Sequence, residues 1–269
     1  MIKKLILIIA LCVTSNASIN DAVQNLLGAS DYNTHRNLIN HIFKNSSSFY
    51  KNGQIDYVKI TQELSNNNLL KLDLGGTKDI EVSFSFNTNA KKSMKNINDI
   101  LKAIGQQNFI TQSEVVIEDQ LKWTIRLKTA AAINPLRLSQ ELQSTNSSIV
   151  DIKREGNLKW SYFIDSTNST VYKTEDLINN KSLSLKKTNK PYIIEISNTS
   201  AISISSNINN SWYPSIVFYD KDFKIIEIVE KDSLHKNLVI DVPNNTRYIK
   251  IDDLYSLANL KQGISITKE

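Results

Sequence analysis

Lys59-Ile60-Thr61-Gln62-Glu63-Leu64 returns as Arg137-Leu138-Ser139-Gln140-Glu141-Leu142, 78 positions further on, and this recurrence decides the fold. At the same offset Asn68 meets Asn146 and Asp73 meets Asp151. Ile80, Val82, Ser83 and Phe84 meet Leu158, Trp160, Ser161 and Tyr162. Between the copies, Glu118-Asp119-Gln120-Leu121-Lys122-Trp123-Thr124 prefigures Glu155-Gly156-Asn157-Leu158-Lys159-Trp160-Ser161. The matched positions are apolar or turn-forming, so the repeat specifies architecture rather than chemistry.

Each copy reads as a helix followed by two strands. In the first, Asp56 caps a helix with the apolar face Tyr57, Ile60 and Leu64, and Asn66-Asn67-Asn68 ends it. Leu70, Leu72 and Leu74 then alternate with polar residues, and Gly75-Gly76-Thr77 predicts a turn into Ile80, Val82, Phe84 and Phe86. The middle copy has a helical stripe at Met94, Ile97, Leu101 and Ile104. Its strands, Val115–Ile117 and Leu121–Leu127, meet at Glu118-Asp119-Gln120. The last copy starts with Asn134 as cap and Pro135 at the first helical position, and its strands, 149–152 and 158–164, meet at Glu155-Gly156-Asn157.

Period-two alternation means one wet and one buried face per sheet, which favours antiparallel pairing under a layer of helices. The expected class is therefore α+β. Two consecutive units make a circularly permuted ferredoxin-like fold, with strand-helix-strand-strand-helix-strand order over about residues 80–165. Downstream the pattern changes to short strands at 192–196, 202–204, 215–219, 225–229, 238–242, 248–251 and 263–266, separated by Asn, Asp and Pro turns, which predicts a C-terminal β-sandwich. The expected organisation is an export signal over 1–17, a helical lead-in over 18–55, tandem helix-strand-strand repeats over 56–165, a linker over 166–190 and the sandwich over 191–269. Within the lead-in, two short helices are expected on either side of a break from Gly28 to Asn33.

The ends and composition set the compartment. Met1-Ile2-Lys3-Lys4 precedes an apolar run from Leu5 to Val13, and Ser15-Asn16-Ala17 places small residues for cleavage after Ala17, so the chain is expected to be exported to the periplasm. No later segment is long and apolar enough to span a bilayer. Cys12 is the only cysteine, and Leu11 stands where a lipidation signal wants a small residue, so cleavage would leave no thiol for disulfides or catalysis. The net charge of +5 falls to about +3 when Lys3 and Lys4 leave, too small and too interspersed for a nucleic-acid partner.

Three stretches carry resemblances. Leu121-Lys122-Trp123-Thr124-Ile125-Arg126-Leu127, Asn134-Pro135 and Ile149-Val150-Asp151-Ile152 resemble, over residues 80–165, the ferredoxin-like periplasmic domains of PilO-type and GspM-type proteins of type IV pili and type II secretion. Leu27-Gly28, Asp31-Tyr32, His35, Leu38-Ile39, Phe43 and Gly53-Gln54-Ile55-Asp56-Tyr57, with the repeats, resemble uncharacterised periplasmic proteins of epsilonproteobacteria. Those resemblances imply a cell-envelope setting, with an accessory role in a flagellar motor, pilus or secretion machine among the readings. Pro214 to Asp220, Val242-Pro243 and Arg247 to Ile251 resemble the jelly-roll accessory modules of envelope and carbohydrate-active proteins.

No nucleophile elbow, zinc-protease helix, phosphate loop or dinucleotide turn is present in the sequence. The carboxylate pairs Glu118-Asp119 and Asp220 with Asp222 read as hairpin-turn residues, and calcium at either pair of the sandwich, Asp220 with Asp222 or Asp252-Asp253, is a lesser alternative. No catalytic residue, metal or cofactor is expected, and the leading expectation is a non-catalytic interaction or scaffolding protein with an envelope protein as partner. The alternative is glycan binding, to peptidoglycan or another polysaccharide, through the sandwich. Trp212 and Tyr213 would stack on sugar faces with Asp220 or Arg247 as polar partners, unless Trp212 instead closes the end of the sandwich core. A hydrolase of envelope polymers is a third, lesser reading.

Overall fold

The computed structural model describes residues 18–51 and 53–269. The expected export signal and Cys12 lie outside the described residues. The protein is α+β and divides into two compact units. The first comprises the chain up to Asn87, Leu101–Gln143 and Ser147–Ser166, and the second Thr88–Ile100, Ser144–Asn146 and Thr167–Glu269.

The lead-in forms three helices, α1 (Ile19–Leu27), α2 (Ala29–Thr34) and α3 (Arg36–Ile42), where two were expected. Ser18 and Asp21 form a reciprocal capping box at the start of α1. The expected break is helix α2, because Gly28 at φ 81° turns the chain in one residue and Asp31 sits in the first turn of the new helix. Short strands β1 (Tyr50–Lys51) and β2 (Gln54–Ile55) then lead into α4 (Tyr57–Asn66), where the Asp56 carboxylate accepts from Lys59 N at 3.0 Å.

The repeats build a five-stranded sheet from β3 (Asp73–Phe86), β4 (Phe109–Ile117), β5 (Gln120–Ala131), β6 (Ser148–Glu155) and β7 (Lys159–Asp165), in the order β4-β5-β3-β7-β6. Helices α5 (Ala90–Ala103) and α6 (Pro135–Gln143) fall between β3 and β4 and between β5 and β6. This gives the expected alternation of strands and helices, with two departures. Gly75-Gly76 is not a turn between strands. Asp73 faces Ala131 and Lys78 faces Thr129, so Leu74–Thr77 bulges out of one continuous strand. The sheet also closes differently. The outermost strand β6 does not pair with β3; β7 does, and it runs parallel to it.

That parallel register equals the repeat period. Val82 pairs with Trp160, Ser83 with Ser161 and Phe84 with Tyr162, each 78 residues apart, so equivalent positions of the two copies lie side by side. The Phe84 and Tyr162 rings stack at 5.6 Å and 16°. Asn87 reaches Asp165 across the same offset at 2.8 Å. Asn68 and Asn146 take the same left-handed conformation after α4 and α6, at φ 57° and 53°. The repeat is thus three-dimensional. α1, α4 and α6 pack on the β6 side of this sheet, over a core that includes Ile60, Leu64, Leu138, Leu142, Ile152 and Trp160.

The second unit holds two facing sheets. One has the order β13-β12-β15-β10-β8, from β8 (Glu175–Asp176), β10 (Tyr192–Glu195), β12 (Pro214–Tyr219), β13 (Ile225–Glu230) and β15 (Tyr248–Asp253). The other has the order β14-β11-β16-β9, from β9 (Ser182–Leu185), β11 (Ala201–Ser206), β14 (Asn237–Asp241) and β16 (Ile264–Lys268). Ile194, Ile202, Ile204, Ile216, Phe218, Ile249, Ile251 and Ile264 are fully buried between them. The stretch read as a linker supplies β8 and β9. Its start is also fastened: Lys92 Nζ donates to Ser169 O at 2.9 Å, Asn96 bonds both Thr170 O and Tyr172 N, and Val171 and Tyr172 are buried. Its Ser, Thr and Asn content suits these side-chain-to-backbone bonds as well as it suits a flexible tether.

Candidate recognition surface

Successive loops of the sandwich alternate between its two ends. Residues 186–191, 207–213, 231–236 and 254–263 gather at one end, as the pairings Tyr192 with Ile251, Ser205 with Asn237, Ile264 with Leu185 and Pro214 with Asp253 require. The hairpin turn 220–224 and the stretch 242–247 lie at the other, where Tyr219 pairs with Tyr248.

This arrangement separates the four residues proposed for glycan contact. Trp212 is wholly buried in the sandwich core and its Nε1 donates to Asp252 O at 2.9 Å, so it closes the core and offers no face to a sugar. Tyr213 beside it is half-buried and packs edge-on against Tyr255 at 5.0 Å. Asp220 and Arg247 lie at the opposite end, roughly 20 Å away along the six residues of β12. Asp220 is a turn former whose Oδ1 accepts from Asp222 N and Lys224 N at 2.9 and 2.8 Å. Arg247 is held by Glu195 at 2.8 Å. The four do not make one site.

At the first end, buried polar groups fix the loops. Asn210, 2% exposed, donates to Gly263 O at 2.6 Å and accepts from Gln262 N at 2.9 Å. Asn207 reaches Gln262 O at 2.5 Å. Asp253, 6% exposed, accepts four bonds: from Tyr213 N on Oδ2, and from Tyr255 N, Ser256 N and Asn259 Nδ2 on Oδ1, all between 2.8 and 3.0 Å. Lys236 Nζ caps the carbonyls of Ile208 and Asn210 at 2.9 and 2.6 Å. His235 N donates to Trp212 O at 2.9 Å, and the Tyr255 hydroxyl donates to Asp232. That last bond holds the Tyr255 phenol above its ordinary pKa.

Three side chains project from this braced scaffold without cover. Ile208 is 87% exposed, Tyr255 62% and Leu234 59%, one on each of three hydrogen-bonded loops. Rigid loops that hold aliphatic and aromatic tips in water are preorganised for contact, since little conformational entropy remains to be lost on docking. The sequence reading missed these residues. Ile208 alone among Asn207, Asn209 and Asn210 was the available signal, an apolar residue inside a polar loop.

The sheet edges are poorer contact surfaces. β4 exposes Ile110 and Ile117, but its ladder is broken by a bulge between Thr111 and Ser113. The edge strands β6 and β13 are bulged too, after Ile149 and opposite Phe218 and Tyr219, whereas the edge strand β14 pairs regularly with β11 over five residues and exposes Val239. Bulges twist an edge away from strand addition.

Among the described residues, no group of three or more His, Cys, Asp and Glu side chains is placed to hold a metal ion, and no helix is long and apolar enough to cross a membrane. A shallow, mainly polar cleft of about 450 Å³ lies in the first unit, lined by Ser18, Asn20, Asn40 and Lys44 among others. No protein-family model matches the chain, and no curated protein matches it in sequence. Among solved structures it is similar to the secreted serine protease VesC from Vibrio cholerae, at 8% identity and a TM-score of 0.25, over 74% of this chain and 43% of that one. A likeness that slight carries no argument about fold or activity.

Proposed function

We propose that the protein is a non-catalytic binding component of the bacterial cell envelope, exported to the periplasm, that engages its partner through the loop-bearing end of the sandwich. The observation that carries this reading is the exposure of Ile208, Leu234 and Tyr255 on loops locked from beneath by Asn210, Trp212 and Asp253. Leaving large apolar side chains in water while ordering the loops beneath them is unfavourable for an isolated domain and useful for an interface. The repeat unit then serves as the body that the sandwich positions. Glycan binding through Trp212, Tyr213, Asp220 and Arg247 together is not proposed, because those residues are apart.

The test is a photocrosslinking residue placed at position 208, compared with one at Lys221 at the opposite end, in cells that produce the protein. Adducts expected at 208 and absent at 221 carry the reading. Equal labelling at both positions refutes the surface, and a turnover abolished by one carboxylate substitution refutes the non-catalytic role.

A further inference from the structure

The loop end carries a second property that narrows its partner. Besides the apolar tips it gathers six exposed lysines: Lys186, Lys187 and Lys190 between β9 and β10, Lys231 and Lys236 between β13 and β14, and Lys261 before β16. The acidic groups there are few. Glu230 and Asp232 are exposed, the latter already accepting the Tyr255 hydroxyl. Asp253 is buried and saturated by N–H donors, and Asp252 pairs with Lys250 at 3.3 Å. The opposite end has no such excess, with Asp220, Asp222 and Asp241 set among Lys221 and Lys224. The sandwich therefore presents one cationic end with apolar points.

We propose that this end docks on the surface of an anionic phospholipid bilayer, with Ile208 and Leu234 entering the interface, Tyr255 at headgroup depth and the lysines around them meeting lipid phosphates. Three features favour lipid over a protein partner. The apolar side chains are separate tips on three loops rather than a continuous patch, which suits a soft, adaptable surface more than a shape-complementary one. Tyrosine with an apolar ring and a polar hydroxyl is the residue type of membrane interfaces. Lysine clusters beside apolar anchors are attracted to anionic headgroups, and neither signal alone anchors stably.

This inference rests on the loop end being the recognition surface, and its test separates the two. The chain from Ser18 to Glu269, free of the apolar leader that would itself bind lipid, is sedimented with vesicles of phosphatidylglycerol and phosphatidylethanolamine and with vesicles of phosphatidylcholine. Binding is expected to the anionic vesicles alone and to weaken as salt rises. Ile208→Asp/Leu234→Asp and, separately, Lys186→Glu/Lys187→Glu are each expected to reduce partitioning about tenfold or more. Both sites are exposed, and unchanged thermal melts would show the variants folded. Wild-type protein that stays in the supernatant overturns the lipid inference, as does binding that both variants retain. Crosslinking of a protein through position 208 in that case leaves the recognition surface standing with a different occupant.

Discussion

Asp253→Ala should unlock the recognition surface. The carboxylate is 6% exposed and holds Tyr213 N at 2.9 Å, Asn259 Nδ2 at 2.9 Å, Tyr255 N at 3.0 Å and Ser256 N at 2.8 Å. The first two donors belong to half-buried residues and lose about 1.5 kcal/mol each when a charged acceptor disappears. Tyr255 and Ser256 are exposed, so water replaces the carboxylate there and roughly 0.5 kcal/mol each is lost. The sum is about 4 kcal/mol, and with an m-value of about 2 kcal/mol/M it moves the urea midpoint of the second unit down by about 2 M. Asp253→Asn keeps one acceptor oxygen but turns an N–H₂ toward one set of donors, so it should lose about half as much. The assay is urea unfolding followed by tryptophan emission, in which Trp212 reports the second unit while Trp123 and Trp160 report the first. A midpoint shift below about 0.5 M, or equal effects of Asn and Ala, would refute the keystone role.

Gly263→Ala should be among the most damaging single changes in the sandwich. A Cβ there would sit 1.9 Å from Leu185 O at φ +77°, and a loss of about 3 kcal/mol or more is expected by denaturant titration. Asn68→Ala and Asn146→Ala occupy equivalent left-handed positions, so each should lose about 1 kcal/mol of stability, and unequal losses would argue against their structural equivalence. The Tyr255 hydroxyl bond to Asp232 raises the phenol's folded pKa. The stability it contributes is therefore fully present below the ordinary tyrosine value of about 10 and is lost as pH rises through the folded value. The difference in urea midpoint between wild type and Tyr255→Phe should hold steady from neutral pH to about 10 and shrink above it. A difference that stays constant with pH would contradict the assignment.

What could be read from the sequence follows the range of the forces involved. The Asn134-Pro135 start of α6 and the Glu118-Asp119 hairpin depend on neighbours a few residues away, and they stand where the sequence puts them. Asn134 Oδ1 accepts from Leu136 N at 2.9 Å, and Glu118 and Asp119 both take positive φ. Gly75-Gly76 was ambiguous because the same two glycines permit a hairpin turn or a bulge, and pairing with Ala131 and Thr129 chose the bulge. The stretch 166–190 reads as a tether because β8 and β9 are only two and four residues long and are held by other strands, β8 by β10 and β9 by β16, the latter about 80 residues further along the chain. The site was least legible. Whether Trp212 faces the core or the solvent depends on a strand phase that the loop before it hides. The tips Ile208, Leu234 and Tyr255 are separated by 26 and 21 positions in the chain and meet only through the sandwich topology.

The in-register pairing of β3 with β7 bears on how the chain acquires its structure. β3 is the central strand, and its apolar residues Ile80, Val82, Phe84 and Phe86 find their partners at β5, some forty residues downstream, and at β7, 78 residues downstream. The β4–β5 and β6–β7 hairpins close local loops and are favoured to form first, whereas β3 waits on the loop-closure entropy of its long-range contacts. Until β5 and β7 dock, a strongly apolar strand has both edges open. Were the chain exported, as proposed, it would cross its membrane in this condition, with β3 the segment most in need of a chaperone in transit and the docking of β7 the step that ends its exposure.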